Sequence, residues 1–441
     1  MHRGDVFMQF RDLPGLIRKS ETISRIGKIE NVEGMLLEAS GGRTSIGEIY
    51  MIYDERENRH IPAEVIGFKQ NKIQMMSYED TNGISSGSIV RSTKKRLKIP
   101  VGDFLKGRVI DAMGRPIFGE RFSDSQFCYV ENTYTNPLKR PPIPERLDFG
   151  VKAIDGLLTI GKGQRIGIFA GSGVGKSTLL GMIAKNSTAD INVIALVGER
   201  GREVREFIER DLGEEGRQRS VVVVATSDES SMMRMKCPMV ATTIAEYFRN
   251  QGKDVLLMMD SLTRFAMAKR EIGLSLGEPP VARGYTPSIY TEFPKLLERS
   301  GRFKEGSITG VYTVLVEGDD TNEPIADTVR GILDGHIVLT RKLANENHFP
   351  AIDINASISR LMSSVASERQ KELASGIRDI LSTYSKNEDL ISIGAYKMGT
   401  SQKVDQAISR IDRVNAFLMQ GVNESFTHDE VVSEMEKILS D

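Results

Sequence analysis

The segment that most constrains this chain is a glycine-rich turn at residues 170–178, Ala-Gly-Ser-Gly-Val-Gly-Lys-Ser-Thr. Apolar residues 166–169 before it predict a strand, and Leu179, Leu180 and Ile183 after it form the apolar stripe of a helix. Backbone N–H groups in such a turn, together with the helix N-terminus, attract phosphate oxygens. The order strand, turn and helix therefore predicts a phosphate-binding loop. A structural glycine turn alone would not require the lysine.

Each residue type in this loop has a chemical reason. Glycines 171, 173 and 175 let N–H groups face the phosphates, Lys176 would reach the β- and γ-phosphates, and the Ser177 hydroxyl would ligate Mg²⁺. The usual pattern starts with glycine, and here the small Ala170 stands in that place. The predicted ligands are ATP and Mg²⁺. The predicted loop contacts are Gly171, Ser172, Gly173, Val174, Gly175, Lys176, Ser177 and Thr178.

Two carboxylates follow further apolar runs. Asp260 ends the run 255–259, which predicts a buried strand whose terminal carboxylate binds Mg²⁺ through water; capping of the next helix is the alternative. Glu199 follows the predicted strand 192–197, at the end where α/β sheets bind ligands, and could polarise an attacking water. Spacing alone leaves open that Glu199 only pairs with a neighbouring arginine on the surface.

Strand and helix patterns alternate through the middle of the chain, which is typical of a parallel α/β sheet. We expect a nucleotide-binding core over residues 96–362. Its predicted strands span residues 165–170, 192–197, 220–225, 255–259 and 308–316.

The segments before and after this predicted core have patterns that differ from it and from each other. Closely spaced short strands between 22 and 95, including 26–29, 63–68 and 72–76, predict a small β-barrel, so that the first domain spans 1–95. Beyond 362 the apolar residues follow helical spacing, which predicts a helical domain over 363–441. Thr427-x-x-Glu430 is a capping box for its last helix. The predicted helical faces are Leu373, Ile377, Ile380, Leu381 and Tyr384, and Val404, Ile408, Ile411, Val414 and Leu418.

Composition excludes several classes of function. A net charge of −1, from 59 basic and 60 acidic residues, gives no electrostatic footprint for nucleic acid, and residues 94–96 (Lys-Lys-Arg) are interpreted as a solvated surface. The 2 cysteines lie far apart, which excludes a zinc ribbon or disulfide framework and fits a reducing cytoplasm. No apolar run approaches the roughly 20 residues of a membrane span. Phe7, Phe10 and Leu13 could dock a partner or belong to an ordinary terminus.

The order of these motifs resembles the rotary ATPase α/β family. Besides the phosphate loop, Gly-Glu-Arg at 198–200 and the strand ending in Asp260, residues 350–360 read Pro-Ala-Ile-Asp-Ile-Asn-Ala-Ser-Ile-Ser-Arg, which is similar to that family's signature. The resemblance covers essentially the whole chain. It implies a RecA-like P-loop core with an N-terminal β-barrel and a C-terminal α-helical domain. It also implies a six-membered ring with nucleotide sites between subunits.

Residue roles follow from the resemblance by position. Glu199 is similar to the catalytic glutamate, where non-catalytic ring subunits have glutamine, and Arg200 to an arginine near the γ-phosphate. Arg360 resembles the arginine finger that acts in a neighbour's site; a structural salt bridge is the alternative. Phe349 and Phe417 resemble the aromatic pair around adenine, with simple packing as the alternative.

Within that family the chain is most similar to the branch of flagellar type III export ATPases, on residues 198–207, 283–288, 317–327, 334–339 and 393–396. The loop 397–403 is basic and neutral where a synthase β subunit is acidic. The resemblance implies ATP hydrolysis that releases chaperone–substrate complexes at a membrane export gate. It implies a cytoplasmic homohexamer at the inner face of the membrane beneath the flagellar basal body, with a stator-like regulator at its N-terminus. An injectisome ATPase and, more distantly, a Rho-like RNA translocase are the alternatives.

Overall fold

The protein is described by a computed structural model that covers residues 25–120, 122, 126–130, 136, 138, 140–316 and 323–440. The chain divides into two compact units, Met1–Leu97 and Lys98–Asp441. Phe7, Phe10, Leu13 and part of the quoted stretch 317–327 lie outside the described residues. The division into three domains stays a prediction, since the C-terminal helices belong to the second unit.

The first unit is a closed six-stranded β-barrel, as predicted. Strand order around it is β1-β2-β5-β4-β3-β6, and the segments 26–29, 63–68 and 72–76 lie in β1, β4 and β5. Alternate side chains point inward and form one apolar core, which includes Leu37, Tyr50 and Val90. The strands are β1 Ile26–Glu33, β2 Leu36–Ala39, β3 Glu48–Asp54, β4 Arg59–Lys69, β5 Lys72–Ser77 and β6 Ile89–Arg96.

The second unit is built on a nine-stranded sheet, which confirms the predicted α/β core. Its order is β19-β18-β12-β17-β15-β13-β14-β8, with β16 paired to β17 off this path. The strands from β18 to β8 along this path run parallel, and the five predicted strands are β12, β13, β14, β15 and β17. Strands of the second unit are β7 Lys98–Val101, β8 Val109–Asp111, β9 Gln126–Tyr129, β10 Arg146–Leu147, β11 Ile160–Gly161, β12 Arg165–Ala170, β13 Ile191–Glu199, β14 Ser220–Thr226, β15 Asp254–Asp260, β16 Gly301–Arg302, β17 Ser307–Leu315, β18 Gly335–Leu339 and β19 Ile352–Ser359.

Helices cover the sheet and continue into the C-terminal region. The described α-helices are α1 Lys152–Leu157, α2 Lys176–Asn186, α3 Gly201–Glu206, α4 Gly213–Gln218, α5 Ser231–Arg249, α6 Leu262–Ser275, α7 Pro287–Leu297, α8 Pro324–Ile332, α9 Arg341–Asn345, α10 Met362–Val365, α11 Glu368–Ser392, α12 Gln402–Leu418 and α13 His428–Ser440. A π-helical segment, Phe207–Leu212, joins α3 and α4. In the part of the chain that is described, no helix combines the length and apolar character needed to cross a membrane.

The last three helices confirm the predicted helical C-terminal region. Leu373 and Val414 are buried, as the spacing predicted, and they join the same core cluster as Leu180 of the phosphate-loop helix. The capping box forms, because the Thr427 N–H donates to Glu430 Oε2 at 2.8 Å and the Glu430 N–H donates back to Thr427 Oγ1 at 3.4 Å. Shared burial with the nucleotide core explains why these helices are not a separate compact unit.

A close approach between α2 and the π-helical segment gives a stability prediction. A methyl group at Gly181 would lie 2.5 Å from the Asp211 carbonyl oxygen. Alanine normally stabilises a helix interior by about 1 kcal/mol over glycine, but overpacking costs about 1–3 kcal/mol. We expect Gly181→Ala to lower the free energy of unfolding by about 1–3 kcal/mol, measured by chemical denaturation.

The matched control is Gly331→Ala in α8, where a methyl group would meet no described atom within 4 Å. There the free energy of unfolding should stay the same or rise by up to about 1 kcal/mol. Equal stability of both variants would contradict the close packing at Gly181.

Candidate active site

The phosphate loop forms as predicted between β12 and α2. Gly173 and Gly175 adopt left-handed φ values of 78° and 87°, which glycine reaches without a steric penalty. Gly175 is the N-cap of α2 and no described side chain caps that end, so the first N–H groups of the helix are available to bind an anion. The loop borders a cavity of about 780 Å³. This cavity is lined by Gly171, Ser172, Gly173, Gly175, Lys176, Ser177 and Thr178.

Val174 is the one loop residue whose side chain lies elsewhere. It is buried and packs into the core cluster, so only its backbone is available to a phosphate. Any contact of Val174 with a phosphate is therefore expected from its backbone N–H and not from its side chain.

Lysine and both predicted carboxylates meet at the carboxyl edge of the sheet. Glu199 ends β13 and Asp260 ends β15, and these two strands are direct neighbours. Lys176 Nζ contacts the Asp260 carboxylate and lies 3.7 Å from Glu199 Oε1. All three side chains are largely buried. Residues separated by up to 84 positions in sequence therefore form one charge cluster beside the phosphate loop.

Glu199 has the electrostatics of a base near neutral pH. Burial, which disfavours the charged carboxylate, and the nearby charge of Asp260 raise the pKa of Glu199 to about 7, although Lys176 acts in the opposite direction. A hydrogen bond and charge from Glu203 also raise this pKa. A base works best when its pKa lies close to the pH at which it operates.

This raised pKa predicts the pH dependence of ATP hydrolysis. The predicted role of Glu199 requires the ionised carboxylate, so we expect activity above its pKa and a loss of activity as the pH falls through about 7. We expect kcat/KM, which reports the free enzyme, to fall about tenfold between pH 8 and pH 6. Glu203→Gln removes a neighbouring negative charge and should move the midpoint to lower pH. A flat profile, or an unmoved midpoint, would contradict this assignment.

Arginines that the motif analysis missed also line the phosphate cavity. The predicted Arg200 lines it too, with an exposed side chain 3.3 Å from Glu203. Arg264 has a buried Nε without a described partner, which suits a group that binds an anion. Arg264 and Arg341 each follow the end of a sheet strand, which is the signal that could have identified them. The ionisable lining residues that were missed are Arg264, Arg270, Arg283 and Arg341, with Glu203, Tyr285 and Glu323.

The predicted Mg²⁺ donors, Ser177 and Asp260, lie together. Both border a smaller cavity of about 100 Å³, and Thr313 Oγ1 donates to Asp260 Oδ1 at 2.7 Å. Mg²⁺ in phosphate sites takes one or two protein oxygens and completes its shell with phosphate and water. In the described ranges, no group of three or more His, Cys, Asp or Glu side chains could hold a metal by itself. The donor set therefore fits an ion that arrives with a nucleotide.

A second cavity, of about 530 Å³, adjoins the phosphate loop at Gly175 and Thr178. Phe349 is 40% exposed and lines this cavity, as expected for a base contact. Phe417 does not line it, because it faces inward on α12 and is 3% exposed in the core. The prediction for Phe417 is corrected. Met419 and Val422, from the loop after α12, line this cavity together with Phe349.

Arg360 lies near the amino ends of the parallel strands, whereas the phosphate loop lies at their carboxyl ends. It follows β19, which is antiparallel to β18: Ser359 pairs with the first residue of β18, whereas the last residue of β18 pairs with Ala170. At about 3.3 Å per residue, these two ends of β18 are roughly 13 Å apart. The exposed Arg360 side chain cannot span this distance to its own loop.

Comparison with known proteins agrees with this architecture. The family profile for the ATP synthase alpha/beta nucleotide-binding domain matches residues 150–359, the beta-barrel domain profile of that family matches 29–94, and a T3SS EscN ATPase C-terminal domain profile matches 366–437. A flagellum-specific ATP synthase of Bacillus subtilis is 53% identical over 97% of this chain and 98% of its own. A type 3 secretion system ATPase of Sinorhizobium fredii is 46% identical over 94% of this chain and 92% of its own.

Solved structures give the same result. The assembled ATPase EscN from the enteropathogenic E. coli type III secretion system superposes with a TM-score of 0.89 at 45% identity, covering 94% of this chain and 100% of that one. EscN in complex with its central stalk EscO gives a TM-score of 0.87 at 44% identity, with the same coverage. By its fold, its motifs and these matches over nearly the whole length, this chain belongs to the ATP synthase α/β family and is an ATPase of that family.

Proposed function

We propose that the protein hydrolyses ATP to support the export of flagellar proteins through a type III secretion apparatus. The observation that carries this proposal is the meeting of Lys176, Glu199 and Asp260 beside a glycine-rich phosphate loop. A ring subunit that only binds nucleotide does not require a carboxylate of raised pKa at the place where water must attack. The flagellar assignment rests on relatives at 46–53% identity that are named flagellum-specific ATP synthases.

Each predicted site residue has a distinct role in the proposed reaction. Lys176 exchanges its carboxylate partners for the β- and γ-phosphate oxygens, while the loop N–H groups hold the remaining oxygens. Glu199 orients the attacking water and accepts its proton. Arg200 lies near the γ-phosphate, and Phe349 stacks on the base. Arg360 of a neighbouring copy supplies a guanidinium to the transferring phosphoryl group, because it is out of reach of its own site.

Ser177 and Asp260 would hold Mg²⁺, Asp260 through water. The bound ion would neutralise charge on the β- and γ-phosphates. Every other part of the catalytic work falls to protein side chains and loop N–H groups.

This arrangement requires an assembly. We propose a homohexameric ring, as in the assembled EscN structure, with a nucleotide site at each junction between copies. The relative's complex with EscO supports the proposal that such a ring binds a further protein. For this chain the proposed partners are a stator-like regulator at the N-terminus, chaperone–substrate complexes and the membrane proteins of the export gate. The proposed location is the cytoplasmic face of the membrane beneath the flagellar basal body, by peripheral association.

Deletion of the gene in its own bacterium tests the cellular function. We expect filament protein to disappear from the culture medium and to return with the wild-type gene but not with Glu199→Gln. Normal filament export after deletion would contradict the flagellar proposal. Loss of other secreted proteins alone would favour an injectisome ATPase; the Sinorhizobium fredii relative is named a type 3 secretion system ATPase. The Rho-like alternative loses support, because the barrel matches the ATP synthase family.

A further inference from the structure

One part of the lining of the second cavity is a short loop that is mostly exposed. Met419 and Val422 line the cavity at 41% and 42% exposure, and they belong to the loop between α12 and α13. Within residues 419–425, all of which the structure describes, Gln420 alone is buried, at 6% exposure. The position of this loop therefore depends on whatever holds Gln420.

Gln420 uses every hydrogen-bonding group of its side chain. Its Oε1 accepts the Lys152 N–H at 2.9 Å, and its Nε2 donates to the Gly150 carbonyl oxygen at 2.8 Å and to the Glu424 carbonyl oxygen at 2.9 Å. Its backbone N–H donates to the Phe349 carbonyl oxygen at 3.0 Å. The side-chain amide thus joins the start of α1 to the loop 419–424, and the backbone N–H of the same residue holds that loop to the segment that carries Phe349.

We propose that Gln420 is a positioning residue for nucleotide binding, which holds the loop that carries Met419 and Val422 in place relative to Phe349. Gln420 borders the second cavity but not the triphosphate cavity, so we expect it to affect binding of the base and not binding of the phosphates. An apolar side chain at position 420 would leave the backbone groups that Gln420 now binds without a hydrogen-bond partner. The exposed loop would then lose its fixed position. Because this inference rests on the proposed nucleotide site, its test compares a ligand that has a base with one that has none.

The test uses calorimetric titration of the full-length protein with MgADP and with magnesium tripolyphosphate. Gln420→Met keeps the side-chain length but removes all three side-chain hydrogen bonds. We expect its dissociation constant for MgADP to rise about tenfold, whereas that for tripolyphosphate stays within about twofold. In steady-state hydrolysis, the KM for ATP should rise by a similar factor with kcat nearly unchanged.

The matched control is Gln370→Met. Gln370 is also buried, and its Nε2 donates to the Asp155 and Gly156 carbonyl oxygens and to Thr159 Oγ1 near the other end of α1. It lines neither of the two cavities. The Gln370→Met variant should lose a similar amount of unfolding free energy, while its dissociation constants for MgADP and magnesium tripolyphosphate stay unchanged. Equal weakening of both ligands by Gln420→Met, or an unchanged constant for MgADP, would overturn the proposal. A wild-type protein that binds MgADP but does not hydrolyse ATP would instead contradict the proposed function.

Discussion

Replacement of Glu199 by glutamine is expected to lower kcat for ATP hydrolysis by about 10²–10⁴-fold, the usual contribution of a positioned base. Glutamine has nearly the same shape and can still contact a water molecule, but it cannot accept a proton. Binding of MgATP should be retained, because Lys176 and the loop N–H groups are unchanged. Phosphate release at saturating ATP measures the loss, and calorimetric titration measures the retained affinity.

Glu209→Gln is the control for this experiment. Glu209 lies only ten residues further along the chain, is exposed, and pairs with Arg205 at 2.8 Å on the surface. The turnover of the Glu209→Gln variant should stay within about twofold of wild type, since a surface ion pair contributes little to stability. A Glu199→Gln variant with turnover near that of the wild type would remove Glu199 from the mechanism.

Arg360→Ala should have the largest effect of all, about 10³–10⁵-fold on kcat, as for other arginine fingers. Lysine should not restore the rate, because it lacks the planar fork that contacts two phosphoryl oxygens. The exposed position of Arg360 separates this role from a structural one. The free energy of unfolding of the isolated chain should change by no more than about 0.5 kcal/mol.

The control here is Arg369→Ala at the start of α11, where an exposed arginine pairs with Glu436 at 2.9 Å. Its kcat should match the wild type within about twofold. A large loss of unfolding free energy in Arg360→Ala, with turnover preserved, would instead support the structural salt bridge that the sequence left open.

Local patterns explain which parts of the site were predictable. The phosphate loop was predicted from one continuous segment, because the strand, the glycines, the lysine and the helix stripe are all adjacent in sequence. Glu199 and Asp260 were predictable for a related reason: each ends an apolar run, and the carboxyl ends of parallel strands share one edge. Buried helical faces in the C-terminal region followed from spacing alone.

Features set by strand order and tertiary packing were not predictable. Arg264 and Arg341 line the phosphate cavity only because β18 pairs with β12 and β15 follows one strand further on, beyond β17. Phe417 was assigned to the base because it resembles one of the family's aromatic pair, but it lies on the buried face of α12, and residues of the next loop line the cavity instead. Gln420 showed no sequence signal, since its role depends on three segments that meet only after folding.

The central claim is that one copy's Glu199 and another copy's Arg360 act on the same nucleotide. A mixture of Glu199→Gln and Arg360→Ala proteins tests it, because each lacks what the other supplies. Each variant alone should be nearly inactive. When the two are mixed in equal amounts under conditions of assembly, about a quarter of the junctions between copies carry both intact groups. ATP hydrolysis should then return to about a quarter of the wild-type rate. Activity that never exceeds the sum of the two separate variants would contradict a shared site.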